Sequence, residues 1–87
     1  MFGYDQFLVE KKKTIKKTQY IFKFPNGFGA SVIRGFGSYG GLIGLWELAV
    51  LNEQNKIDYS TEITDDVLGG LSEKEVNEVL TKIKELS

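Results

Sequence analysis

Residue types on which most metal and redox sites depend are missing from this sequence of 87 residues. It contains no cysteine and no histidine, so a disulfide framework is excluded and the usual zinc, copper and haem ligands are absent. A chain without cysteine fits a reducing compartment, and we expect a cytoplasmic protein without a cofactor. No apolar run approaches the roughly 18 residues of a membrane-spanning helix, and the first residues do not form a signal peptide, so we expect neither membrane insertion nor export.

The residues that are present predict one small folded domain. Hydrophobic residues make up 41% of the sequence and aromatic residues 13%, which is enough for a core and too much for a disordered chain. The net charge is −1, but residues 1–34 hold seven basic and two acidic side chains, whereas residues 35–87 hold four lysines and ten acidic side chains. This division predicts a dipolar molecule if the two parts stay separate in the fold.

The clearest local signal is the tight turn in Phe24-Pro25-Asn26-Gly27-Phe28. A two-residue loop would pair Pro25 with Phe28, and a three-residue loop would pair Phe24 with Phe28. We predict the three-residue loop, because it places proline where its fixed φ fits and glycine where φ must be positive. This loop also divides the flanking strands into an apolar face and a mostly polar face. The apolar face carries Tyr20, Phe22, Phe24, Phe28, Ala30 and Val32, and the other face carries Gln19, Ile21, Lys23, Gly29, Ser31 and Ile33.

Two further strands are predicted after this hairpin. Residues 45–51 are apolar on both faces apart from Glu47, which indicates a central or well-covered strand. We interpret Glu47 as a carboxylate at the sheet margin, paired with a lysine or an arginine. A turn at residues 52–55 and the alternating segment 56–60 complete a second hairpin.

The last segment has the strongest helical signal. Ser72 is the predicted N-cap, Glu75 completes a capping box, and apolar residues then recur at helical spacing. That apolar stripe consists of Val76, Val79, Leu80, Ile83 and Leu86. We expect α+β architecture: a small, mainly antiparallel sheet of four strands, covered on one face by this C-terminal helix.

The remaining segments are less regular. Residues 1–10 predict a short helix, although residues 7–9 could equally form an edge strand. Residues 1–17 as a whole are taken as an extension of a domain formed by residues 18–87. A short helical turn is predicted to begin at Thr64 and to end at two glycines, Gly69 and Gly70.

Two groups of residues are candidates for binding a protein partner. The glycine-rich segment 35–44 matches the G-x-G-x-x-G pattern, but a strand rather than a helix follows it, so we interpret it as a surface loop that presents Phe36 and Tyr39. Glu62, Asp65 and Asp66 lack the ligand spacing of a calcium loop, and capping of the short helix predicted at Thr64 accounts for them better. If the acidic region carries function, the same three carboxylates imitate a phosphate backbone and bind a basic groove of a nucleic-acid enzyme. No metal site and no catalytic residue is predicted.

The basic first third of the chain supports an alternative, which is binding to nucleic acid. Its candidate residues are the lysines in the segment 11–17 and two residues of the first predicted strand. They are Lys11, Lys12, Lys13, Lys16, Lys17, Tyr20 and Lys23. The lysine run also suits a solvated connection or an edge strand, where lysines discourage pairing with other sheets.

Several phrases resemble a group of small uncharacterised phage and prophage proteins from Gram-positive bacteria. These are residues 26–33 (NGFGASVI), 39–41 (YGG), 46–51 (WELAVL), 64–69 (TDDVLG) and 75–78 (EVNE), and the resemblance covers roughly residues 18–87. It implies a phage-encoded protein in a bacterial cytoplasm. Small phage proteins without an enzyme signature often bind a host protein. We therefore expect a non-enzymatic binding protein that modulates a host or phage protein, with inhibition of a host defence such as CRISPR–Cas as one form of that role.

Overall fold

A computed structural model describes residues 3–14, 17–35, 45–54, 56–57 and 68–86. In this part of the chain, five antiparallel strands form one sheet in sequential order, and a single α-helix follows them. A one-turn 3-10 helix, Asp5–Phe7, precedes the first strand. The elements are β1 (Leu8–Lys13), β2 (Lys17–Lys23), β3 (Gly29–Gly35), β4 (Trp46–Leu51), β5 (Leu68–Leu71) and α1 (Glu73–Lys84).

The α+β architecture with a C-terminal helix is confirmed, but the expected number of four strands is wrong. The described part of the first ten residues forms only one 3-10 turn before β1 begins, because the backbone from Leu8 onward pairs with β2. Likewise, Leu68–Leu71 pairs with β4 instead of ending a helical turn. Of the strand predicted at residues 56–60, the structure describes two residues, and Ile57 makes an isolated bridge to Leu51.

The predicted register of the β2–β3 hairpin is confirmed. The backbone N–H of Phe24 donates to the carbonyl of Phe28 at 2.9 Å, so these two residues close a three-residue loop. Gly27 has a φ of 91°, the left-handed conformation that the loop requires. A side chain at Gly29 would overlap the carbonyl oxygen of Phe22, which keeps the two strands close at the start of β3.

One face of the sheet, which we call the helix face, packs against α1 to form the core. Val76, Leu80 and Ile83 of α1 are fully buried there, as the helical stripe predicted. The buried core residues of the sheet are Tyr20, Phe22, Ala30, Val32, Trp46, Leu48, Val50 and Leu71. Alternation of side chains along the strands therefore supplies one continuous apolar layer.

Both ends of α1 are held by side chains. At the N-terminus, the Ser72 hydroxyl accepts from the N–H of Glu75, and the Glu75 carboxylate accepts from the N–H of Ser72, as predicted. These bonds to Ser72 lower the pKa of Glu75 from its ordinary value. At the C-terminus, the Asn26 amide donates to the carbonyl oxygens of Ile83, Lys84 and Leu86, at 2.8, 3.0 and 2.9 Å.

Asn26 therefore joins the hairpin turn to the end of the helix. Its side-chain oxygen accepts from the N–H of Phe28 at 3.0 Å, while its nitrogen serves the helix carbonyls. Carbonyls at a helix C-terminus have no partner within the helix, so a donor from elsewhere satisfies them. One amide side chain thus fixes the turn and the docking of α1 together.

The N-terminal segment closes the core on the side of β2. The N–H of Gly3 donates to the side chain of Asn77 at 3.0 Å, and the Tyr4 hydroxyl bonds to Thr81. The Phe7 ring packs edge-on against Phe24, with 5.2 Å between ring centroids. The residues taken from the sequence as an extension thus contribute β1 and half-buried side chains that pack against the core.

Asn26→Asp is expected to lower the free energy of unfolding by about 1–3 kcal/mol. A carboxylate cannot donate to the three carbonyls, and its negative charge is unfavourable at a helix C-terminus. Urea denaturation at neutral pH measures the change.

The matched control is Asn52→Asp. Towards the described residues, Asn52 uses its side-chain oxygen, which accepts from the N–H groups of Gln54 and Lys56, and a carboxylate preserves both bonds. We expect little loss of stability in this variant. Equal losses in the two variants would show that donation by Asn26 to the helix contributes nothing.

Trp46→Ala is expected to lower the free energy of unfolding by about 3–5 kcal/mol, because it truncates a large buried side chain. Trp46 is 1% exposed, and its ring lies 5.6 Å from that of Tyr20, centroid to centroid. A thermal melt followed by circular dichroism measures the loss. A melting temperature equal to that of the wild type would contradict the packing described.

Candidate functional site

The residues predicted for protein binding lie outside the part of the chain that the structure describes. They are Phe36, Tyr39, Glu62, Asp65 and Asp66, and the assignment of a binding role to them stays a prediction. Lys16, from the alternative set, also lies outside the described residues. The candidate site must therefore be built from β1 to β5 and α1.

Four of the predicted lysines come together at the β1–β2 hairpin. Lys11, Lys12, Lys13 and Lys17 are all exposed, and β1 is an outer strand of the sheet. Lysines on an outer strand hinder pairing with the sheet of another molecule, so the edge position alone accounts for much of this run.

The other two residues of the nucleic-acid set are placed differently. Tyr20 is 7% exposed and the ammonium group of Lys11 lies 5.4 Å from its ring centroid, so the ring belongs to the core and offers no face to a base. Lys23 lies at the far end of β2, where its ammonium group donates to the carbonyl of Glu53 at 3.0 Å. The structure therefore separates Lys23 from the lysines of the hairpin.

The second face of the sheet, which we call the groove face, holds a cavity of about 440 Å³. No described helix packs on this face, since α1 lies on the other one. The described residues that line the cavity are Glu10, Gln19, Ile21, Ser31, Ile33, Glu47, Ala49, Leu51 and Ile57. They come from four neighbouring strands and from Ile57, so the groove runs across the sheet.

The register explains why these side chains meet. Ile21 pairs with Ser31, and Ser31 pairs with Ala49, so one row crosses β2, β3 and β4. Ile33 pairs with Glu47 in the next row. Paired residues on adjacent strands point to the same side of a sheet, which assembles an apolar floor from three strands.

The charged side chains in the described lining of the groove are carboxylates. Glu10 and Glu47 lie on strands at opposite sides of it, and its described lining contains no lysine or arginine. Glu10 also contacts Lys12 at 3.5 Å between charged atoms, and Glu47 has an interaction within the chain. Between them, the Gln19 side-chain nitrogen donates to the Ser31 hydroxyl at 2.8 Å. The groove therefore combines an apolar floor with carboxylates and one amide–hydroxyl pair.

Two further observations concern metal binding and membrane insertion. No group of three or more aspartates and glutamates among them is placed to hold a metal ion. No helix among them is both long and apolar enough to cross a membrane.

Comparison with known proteins adds no assignment: no family model, curated protein or solved structure matches this chain. The resemblance to phage proteins therefore stays a prediction. The geometry of the two sheet faces carries the functional argument.

The groove was not identified from the sequence, although two signals for it are present. The strand at residues 45–51 is apolar on both faces, which requires contacts on both. Ile21 and Ile33 also lie on the face described as mostly polar, and the correct hairpin register places them near each other. Combining these signals would have indicated an apolar surface opposite the helix.

Val32 and Ile33 are neighbours on opposite faces, and threonine at each position tests the difference. Val32 is fully buried in the core, so Val32→Thr should cost about 1–3 kcal/mol of unfolding free energy through burial of a hydroxyl. Ile33→Thr should cost less than about 1 kcal/mol, because its side chain is only partly buried. Equal costs, measured by urea denaturation, would contradict an open groove face.

Proposed function

We propose that this protein acts by binding, without catalysis, and that a segment of a protein partner docks in the groove. The observation that carries the proposal is the apolar floor on a sheet face that no described helix covers. An antiparallel sheet with one face in water normally alternates apolar and polar side chains, and here Ile21, Ile33 and Ala49 interrupt the polar face.

The size and lining of the groove support a binding role. Ligand-binding clefts typically have volumes of about 300–1,000 Å³, with mostly apolar walls and a few fixed polar groups. The cavity of about 440 Å³ falls within that range, and the Gln19–Ser31 hydrogen bond fixes two of its polar groups. Ile57 extends the apolar surface, since 43% of it is exposed at one margin.

Charge complementarity defines the partner segment. The charged residues of the described lining are Glu10, which is ion-paired with Lys12, and Glu47, which has an interaction within the chain. A lining whose charged side chains are carboxylates favours lysine or arginine over acidic segments. Aliphatic side chains on the same segment would cover Ile21 and Ile33. The partner segment is therefore basic and aliphatic.

The biological setting belongs to the same proposal. The resemblance to phage and prophage proteins supports a protein that works in a bacterial cytoplasm on a host or phage protein. Binding to a basic segment suits a partner that itself handles nucleic acid, such as a defence nuclease of the CRISPR–Cas type, because such proteins carry exposed basic surfaces. Occupation of that segment would modulate the partner.

Site-specific photo-crosslinking in cells of a Gram-positive host tests the proposal. A photoreactive amino acid at Ile57 should crosslink a discrete protein, since Ile57 lies at the margin of the groove. The crosslinked peptide, mapped by mass spectrometry, should carry lysine or arginine beside aliphatic residues. The same amino acid at the exposed helix residue Lys82 should not capture that protein.

Two variants test whether the crosslinked product depends on binding in the groove. Ile33→Asp in the Ile57 crosslinker background should remove the product, because it places a charge on the groove floor. Val9→Asp is the matched control: Val9 is 62% exposed and does not line the groove, so the product should persist. Circular dichroism verifies that both variants fold. Persistence of the crosslink in Ile33→Asp, or an acidic crosslinked peptide, would contradict the proposal.

A further inference from the structure

Arg34 is a cation that does not serve to protect an outer strand of the sheet. It lies on β3, an inner strand, whereas protection of an outer strand accounts only for the lysines of β1. In the register of the sheet, Lys13 pairs with Thr18, and Thr18 pairs with Arg34. Two cations from β1 and β3 thus flank one hydroxyl on β2.

This row lies on the helix face, at a corner that the helix leaves uncovered. Thr18 is two residues from Tyr20 and Arg34 two residues from Val32, and both of those are core residues. The helix α1 packs mainly on β3, β4 and β5, so β1 and the start of β2 extend beyond it. Lys11 is on the same face, because its ammonium group lies over the Tyr20 ring.

Aromatic rings hold two of these cations in place. The Arg34 guanidinium carbon lies 4.6 Å from the centroid of the Trp46 ring, and the Lys11 ammonium lies 5.4 Å from that of Tyr20. The two rings contact each other and are almost fully buried, so they form a rigid support. Cations held over aromatic rings lose less freedom when they bind a ligand.

No carboxylate among the described residues forms an ion pair with the cations of this corner. Among the described residues, neither Lys11, Lys13 nor Arg34 forms an ion pair, and the single ion pair of the hairpin joins Lys12 to Glu10. Neighbouring strands lie about 4.8 Å apart, so Lys13 and Arg34 start about 10 Å from each other. Their long side chains can converge on one tetrahedral anion or contact adjacent anions on a chain.

We propose that Lys13, Thr18 and Arg34, assisted by Lys11, form a binding site for phosphate groups. Arginine can donate two parallel hydrogen bonds to a phosphate, lysine supplies charge, and the threonine hydroxyl donates a third contact. The aromatic rings beneath them are buried and cannot stack on bases, so the site recognises phosphate independently of sequence. Its ligand is the phosphate of a nucleic-acid backbone or of a small phosphate compound.

The experiment compares these two sources on one set of proteins. Fluorescence anisotropy measures binding of mixed-sequence single- and double-stranded oligonucleotides at several salt concentrations. Calorimetric titration with pyrophosphate measures binding of a small phosphate compound. The proteins are the wild type, the site variant Lys13→Gln/Arg34→Gln and the control Lys74→Gln/Lys82→Gln, which changes the net charge equally at exposed helix positions.

If the ligand is a nucleic-acid backbone, the wild type should bind both kinds of oligonucleotide. The slope of log affinity against log salt concentration should then fall by about one to two units in the site variant and stay unchanged in the control. A small-compound site predicts pyrophosphate binding that the site variant alone loses, with no oligonucleotide binding. Lys13→Gln by itself should give part of either loss while it keeps the Arg34–Trp46 contact, which separates binding from misfolding. The proposed site would be contradicted if the wild type showed neither kind of binding, or if the control lost as much binding as the site variant.

Discussion

The register of the β2–β3 hairpin is the constraint on which the rest of this structure depends. Side chains alternate between the two faces of a strand, so a slip of one residue would exchange the faces of β2 against β3. The loop that pairs Phe24 with Phe28 prevents this slip, because its glycine adopts a positive φ and its proline occupies the position that suits it. Asn26 then links the same loop to the carbonyls at the end of α1.

Both faces of the sheet follow from this one register. Phe22, Ala30 and Val32 enter the core on the helix face, and Ile21, Ser31 and Ile33 form the floor of the groove on the other. The same pairing brings Thr18 opposite Arg34 and so creates the cationic row. The core, the groove and the cationic row proposed to bind phosphate therefore all depend on the register that this one loop sets.

The sequence predicts correctly those elements that a few adjacent residues define. The turn residues fixed the hairpin, and Ser72 with Glu75 fixed the start of the helix, because each signal spans only a few residues. β5 was missed, and for the start of β1 a short helix was preferred over an edge strand, because the strand conformation of both depends on neighbours. The five exposed positions of β1 and the two glycines of β5 have no strong strand preference of their own. The helix-capping role of Asn26 could not be read locally either, since its partners are 57 to 60 residues away in sequence.

The candidate sites also differ in how far local sequence predicts them. The edge lysines were recognisable as a basic run, but only the strand order shows that β1 is an outer strand and that Tyr20 is buried beneath Lys11. The groove could be predicted only by establishing which residues of three different strands share one face of the sheet. Sequence reasoning placed the protein-binding residues in segments outside the described part, so the structure offers a different surface for the same expected function.

The central claim is that the groove is accessible to a partner at Ile21, Ile33 and Ile57, whereas Ser31, Ala49 and Leu51 lie buried in its floor. Isoleucine-selective methyl NMR with a soluble paramagnetic probe tests it most directly, because isoleucines lie on both faces. We expect strong broadening of the methyl signals of Ile57, which is exposed, and clear broadening of those of Ile21 and Ile33, which are half-buried. The signals of Ile83, which is fully buried under the helix, should be protected. Protection of Ile21 and Ile33 equal to that of Ile83 would contradict the account, because the groove would then be filled within the folded chain.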